Sequence, residues 1–327
     1  MQLGISWENT LRLSVVHPMM YPDVQPGEQR FIDTVATLVN DDFFSLLELA
    51  KIKDPAERKA IRQLADSSHL SIMYIAPLLR QKLDLNSLDE SERNKAVKEV
   101  KSCIDEAAEL GAERVEGLLS GPDHGASRRN EAMRALVDSL KEICAYGEVK
   151  RVGITLETMD RDIEKKCLIG PARDAAALAR MIRKDFRNFG ILYDMAHGSL
   201  LDEDPRSALA LLKDYLVHIH VGNCVKVEGN PAFGDKHPRF GVDGGMHDVD
   251  DLTRFLRILF DIGYLGKKTR QSKNLPIVGL EVKPLPGESS ETVLAGTKRV
   301  WRQAWAQLQM NKKTSRHRSP KPNSSHE

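Results

Sequence analysis

ITLETMDRD, residues 154–162, runs from apolar and β-branched residues into an acid, and three later segments repeat the arrangement: ILYDMAHG (191–198), VHIHVGN (217–223) and VGLEVKP (278–284). Each reads as a short buried strand whose end carries ionisable groups that a packed core would not choose. Side chains alternate along a strand, so Thr155 with Glu157, Leu192 with Asp194, His218 with His220, and Glu281 with Lys283 share faces. If that face lines the inside of a closed sheet, Glu157, Asp194, His220 and Glu281 meet at its mouth.

Working outward, similar apolar runs recur near 12–16, 43–49, 70–76, 114–119, 152–158, 190–195, 216–221 and 276–282, which makes eight strands. Helical stripes lie between them. Met133, Leu136, Val137, Leu140, Ile143 and Cys144 fall on one face of 131–145, and Leu252, Phe255, Leu256 and Leu259 form another. Ser87 and Glu90 have capping-box spacing, Gly111 follows the last turn of that helix, and Pro171 and Pro205 stand near two helix starts. Eight strand-then-helix units with no break in composition predict an α/β fold, a (β/α)₈ TIM barrel over residues 1–308 with its eighth helix ending near Leu308. An open doubly wound sheet is the competing architecture. Residues 309–327 read as a basic, disordered tail.

The bulk properties agree. The 327 residues are 41% hydrophobic and 29% charged, with 48 Lys and Arg against 47 Asp and Glu. Residues 311–327 carry five basic residues and one Glu, so a net +1 overall leaves the rest near −3 (+1 − 4). A slightly acidic body argues against a nucleic-acid binder. The sequence has no long apolar run and no signal-peptide pattern at its amino terminus, so no membrane span and a cytoplasmic setting are expected. The four cysteines, 103, 144, 167 and 224, form no C-x-x-C; Cys224 reads as a buried thiol.

Three carboxylates in a low-dielectric cleft repel one another unless a cation compensates them, so the four strand ends predict one divalent metal. Hard oxygen donors favour Mn²⁺ or Mg²⁺, with Co²⁺ or Zn²⁺ as alternatives. One loop stands out. Residues 222–247, rich in Gly, Pro, Asp and His, follow strand seven and are far longer than an ordinary βα connection, which points to function.

In this order and at these strand ends, the four segments resemble the sugar isomerase/epimerase superfamily of xylose isomerase-like barrels, to which the endonuclease IV family is related. The resemblance spans about residues 11–305 and is nearest to a branch carrying a GDKHPRFG element (234–241). It implies that Glu157, Asp194, His220 and Glu281 bind the metal, and that Glu157 and Glu281 also exchange protons with substrate. It also implies that His197 binds substrate hydroxyls and that Arg161 lies at the mouth. The matching family acid falls near Asp162 or Ile163, a departure at that position. The endonuclease IV branch holds a further metal with residues matching His197, Asp235 and His237; all three are present here, while the two histidines that help hold that branch's first metal are missing. We read these three as substrate-binding or loop-ordering residues, with a second metal as the alternative.

Lys283 is read as an acid or electrostatic stabiliser, while His17, Glu48 and Tyr74 are weaker candidates for substrate contact and His218 reads as a core histidine. The expected function is a metal-dependent isomerase or epimerase of a keto sugar or polyol, transferring a proton through a metal-stabilised enediolate. The alternative is a lyase or dehydratase acting on a keto sugar, inositol derivative or 3-keto glycoside. An endonuclease IV-like phosphodiesterase is the least favoured reading. The partner is thus a small sugar-like substrate, with neither nucleic acid nor membrane, and a homo-oligomer is implied by resemblance alone.

Overall fold

Eight five-residue-scale strands, each followed by a connection long enough for a helix, can bury both faces by closing on themselves or by carrying helices on both sides of an open sheet. The computed structural model describes residues 6–266 and 275–316 and has the closed architecture. Its strands are β1 (Arg12–Val16), β2 (Leu46–Ala50), β3 (Ser71–Ile75), β4 (Arg114–Leu118), β5 (Gly153–Glu157), β6 (Phe189–Asp194), β7 (Leu216–Val221) and β8 (Ile277–Leu280). Each pairs in parallel with the next, and β8 closes on β1. The barrel expected from the sequence is therefore present, and the open sheet is excluded.

The helices are α1 (His17–Met20), α2 (Gln29–Val39), α3 (Pro55–Ser67), α4 (Leu78–Gln81), α5 (Glu90–Leu110), α6 (Arg129–Lys150), α7 (Ala172–Ile182), α8 (Met195–Leu200), α9 (Pro205–Leu212), α10 (Val249–Asp261) and α11 (Ser290–Arg316). Outward strand residues such as Leu13, Leu47, Ile72, Val115, Ile154, Ile191, Ile219 and Val278 join the helix stripes in one continuous core. Leu136, Leu140, Ile143 and Cys144 of α6 are fully buried in it, as the periodicity requires. No helix among the described residues is long and apolar enough to cross a membrane.

Two boundaries differ from expectation. The cap of α5 is Asp89, whose carboxylate accepts from the Ser91 and Glu92 amides at 2.8 and 3.2 Å, while the Ser87 hydroxyl accepts from Asp89 N. An ionised carboxylate outcompetes a hydroxyl at a helix N-terminus, and the Ser87–Glu90 spacing was a chance match. The last helix runs to Arg316, past Leu308, because nothing between them breaks a helix. Residues 317–327, most of the expected tail, lie outside the described residues.

Strand ends set the site. Asp194 lies opposite His220 in the β6–β7 ladder, and Glu157 lies opposite Leu192 in the β5–β6 ladder. Below them, Leu46, Met73 and Ile277 form an apolar plug inside the barrel.

Candidate metal centre

Glu157, Asp194, His220 and Glu281 each offer a ligand atom, and these atoms all lie within 4.8 Å of one another. Nδ1 of His220 faces the group, 2.7 Å from Glu281 Oε2, 3.8 Å from Glu157 Oε1 and 3.9 Å from Asp194 Oδ2. The sequence pattern anticipated all four. Glu281 sits one residue beyond β8, still inward because its amide bonds to the Val221 carbonyl at 3.1 Å.

Asp194 has two tasks. Its Oδ1 caps α8 by accepting from the Ala196 and His197 amides at 2.5 and 3.1 Å, while its fully buried Oδ2 has no hydrogen-bond partner among the described residues. A buried carboxylate oxygen without a donor is costly unless a cation meets it. Glu157 makes the same case through its proton affinity: burial, then the negative charge of Glu281, pushes its pKa up. Burial works the same way on Glu281, but His237 and His220 outweigh it and hold that carboxyl below its ordinary value. A divalent ion would offset the burial and the repulsion from Glu281 that raise Glu157, so this donor set fits one.

The long loop reaches the same mouth. Asp235 Oδ1 lies 3.0 Å from His197 Nε2 and 2.7 Å from His237 Nε2, and His237 Nε2 is 4.0 Å from Glu281 Oε1. Nδ1 of His197 donates to the Thr158 carbonyl at 2.8 Å. Asp194, His197 and His237 form a second close group of potential ligands. His237 is held at φ 48°, a left-handed conformation that costs a side chain about 1 kcal/mol or more. Its carbonyl is anchored by the Lys283 amide at 2.7 Å.

That amide is what Lys283 brings to the site: its side chain is exposed, so the expected buried acid is corrected. Alternation stops with β8 at Leu280 and no longer dictates where residue 283 points. Arg161 is tied into its own loop. Its guanidinium bonds to the Leu168 carbonyl and, at 2.8 Å, to Asp174, bracing the β5–α7 connection. Tyr74 faces the helices, accepting from Ile52 N at 2.9 Å and donating to Glu106, and His17 bonds to Thr34 at 2.9 Å. Cys224 is buried, and burial lifts its thiol to about 12.

Sequence reasoning missed a latch. Lys165 Nζ lies 2.7 Å from Glu164 Oε1 and 3.1 Å from Asp235 Oδ2, and Glu164 Oε2 accepts from Asp235 N at 2.9 Å. Asp160 shapes this turn by accepting from the amides of Ile163, Glu164 and Lys165 at 2.7–2.8 Å. An Asp followed by several turn-compatible residues was the available signal, but its partner lay 71 residues from Glu164 in the chain.

Comparison with known proteins agrees with the geometry. The profile of the xylose isomerase-like TIM barrel family matches residues 35–270. The chain belongs to this family. No curated protein sequence matches it. Among solved structures, this xylose isomerase-like barrel superposes on an L-ribulose 3-epimerase with a TM-score of 0.71 at 16% identity, covering 96% of this chain and 99% of the other. An IolI protein with a bound zinc atom gives 0.67 at 14% identity, over 91% and 99% of the two chains. The 3-keto-D-glucoside 4-epimerase YcjR from E. coli gives 0.61 at 13% identity, over 89% and 99%. At these identities the likeness concerns the fold.

Proposed function

We propose that this barrel is a divalent-metal-dependent isomerase or epimerase of a keto sugar or related polyol. The observation that carries the reading is the convergence of three carboxylates and one imidazole within 4.8 Å at the mouth. Glu157, Asp194, His220 and Glu281 would hold the ion, with Mn²⁺ or Mg²⁺ preferred by the oxygen-rich set and Zn²⁺ kept in view by the zinc of IolI. When bound, the cation supplies Lewis-acid polarisation that acidifies the C–H beside a substrate carbonyl.

The protein's own groups do the rest. Glu157 and Glu281 project from different strands, so one can take a proton from a substrate carbon and the other return one. His197, Asp235 and His237 orient substrate hydroxyls, and the loop between β7 and α10 excludes water. The sugar epimerases among the structural neighbours support this class of substrate.

The test is incubation of the Mn²⁺-loaded protein with ketoses, inosose-like rings and 3-keto glycosides in deuterated water. Label uptake without mass loss is the expected result, whereas release of water or an aglycone would replace isomerisation by elimination. Wild-type turnover in Glu157→Gln and Glu281→Gln would sink the mechanism. The second group at Asp194, His197 and His237 favours one further reading, a dinuclear centre. One metal per chain in active enzyme would remove it.

A further inference from the structure

Beneath the mouth lies a layer of buried polar groups, Glu48, Glu116, His218 and the far side of His220, whose potential ligand atoms also lie within 4.8 Å of one another. Glu48 on β2 is fully buried, with Oε2 2.8 Å from His220 Nε2 and Oε1 accepting from the Ser14 hydroxyl at 2.5 Å. His218 Nε2 stands 3.3 Å from Glu48 Oε1, and its Nδ1 is 2.8 Å from Glu116 Oε2 on β4. These contacts cross the barrel from β7 to β2 and β4. Space for them comes from Gly279 on β8: a Cβ there would collide with Glu48 Oε1 and stand 2.8 Å from both His220 Cδ2 and Ser14 Oγ.

The two nitrogens of His220 therefore face opposite ways, Nδ1 into the mouth beside Glu281 at 2.7 Å and Nε2 onto Glu48 at 2.8 Å. An imidazole binds a cation only through a nitrogen that offers a lone pair, and the other nitrogen's hydrogen bond decides which that is. When a cation takes the place of a proton on Nδ1, Glu48 holds the remaining proton on Nε2, and the ring presents Nδ1 upward.

We propose that Glu48 is a positioning residue, which fixes the tautomer and aim of His220 and so sets metal affinity at the mouth, with Ser14 and Gly279 keeping its carboxylate in place. The inference rests on the reading of the mouth as a metal site. His218 and Glu116 complete the support from the far side of the barrel. Glu48 touches neither metal nor substrate; it acts through the imidazole.

The experiment is a chelator-competition titration of Mn²⁺ against wild type, Glu48→Gln, Glu48→Leu and Gly279→Ala, with the metal-free melting temperature of each. Gln keeps an acceptor for Nε2–H but loses the charge, whereas Leu loses both. The expected order is a few-fold weaker Kd for Gln and about 10- to 100-fold for Leu. Gly279→Ala, which retains both groups but forces them apart, is also expected to weaken Kd. This loss should not track melting temperature, as a merely structural role would require. Unchanged affinity in a folded Glu48→Leu or Gly279→Ala overturns the inference, and Glu48→Gln decides it if those two do not fold. Loss of a second bound equivalent in Glu116→Gln also overturns it, because the deep layer would then itself hold metal. If wild type binds no Mn²⁺, the proposed function fails first, so the two failures are distinguishable.

Discussion

Lys165→Met removes an ammonium that joins the β5–α7 loop to the loop carrying Asp235 and His237. The Lys165 side chain is 15% exposed and that of Asp235 is 4% exposed, so the pair is shielded from solvent screening. Burial by itself would lower the Lys165 pKa, but Asp235 and Glu164 outweigh it and lift the value to about 12 from 10.5. A raised folded pKa means stabilisation that is complete below about 10.5 and lost as pH rises through about 12. The difference of 1.5 units (12 − 10.5) corresponds to about 2 kcal/mol at neutral pH, at ~1.36 kcal/mol per unit. If that energy holds the loop over the mouth, losing it reduces kcat/KM by up to about 30-fold. The four mouth ligands are untouched, so Mn²⁺ affinity should stay within about 3-fold of wild type, a change below ~0.7 kcal/mol. The assay is deuterium exchange into whichever keto sugar the solvent-label screen identifies, alongside a Mn²⁺ titration. Unaltered kcat/KM in a variant destabilised by the expected amount would refute the link between latch and site. Collapse of metal affinity would refute it too, by showing that Asp235 acts at the ion.

Three further outcomes follow from individual contacts. Burial drives His17 down to about 4 from 6.5. The unfolded chain therefore takes up a proton near pH 6.5 that the fold refuses, and stability falls as pH drops from about 6.5 towards 4. His17→Gln should lose about 3 kcal/mol less than wild type between pH 7 and 4, read by urea denaturation at both, and identical pH slopes would contradict this. Mn²⁺ at ~100 times its Kd should add about 2.7 kcal/mol and roughly 5 °C to the melting temperature over the chelated protein. Most of that gain should vanish in Glu157→Gln; an equal gain there would rule Glu157 out as a ligand. Finally, a Cβ on Gly198 would collide with Tyr193 Oη and lie 2.8 Å from its Cζ, so Gly198→Ala should cost about 1–3 kcal/mol and tilt α8, misaiming His197. Wild-type melting and turnover together would exclude that account.

Strand and helix positions were legible because periodicity is a local property: alternation and 3.6-residue stripes survive in the bare sequence. The same alternation found Glu157, Asp194, His220 and Glu281, since each terminates an apolar run and parallel strands bring their ends to one face. The 222–247 segment was legible from length and composition, and the structure does bring Asp235 and His237 to the mouth.

Tertiary structure alone decided what each polar group faces. Lys283 lost its expected buried place because β8 ends at Leu280, and Arg161 gained a partner, Asp174, that its neighbours in the chain do not announce. Glu48 looked like one more mouth residue, yet the barrel closes it against His220, 172 residues away in sequence. Nothing near Lys165 in the chain marks it as the partner of Asp235, which folding brings to 3.1 Å. Pairings of this kind depend on distances across the barrel, which a residue's own neighbours in the chain do not encode, whereas the strand and helix periods that build the barrel are written in those neighbours.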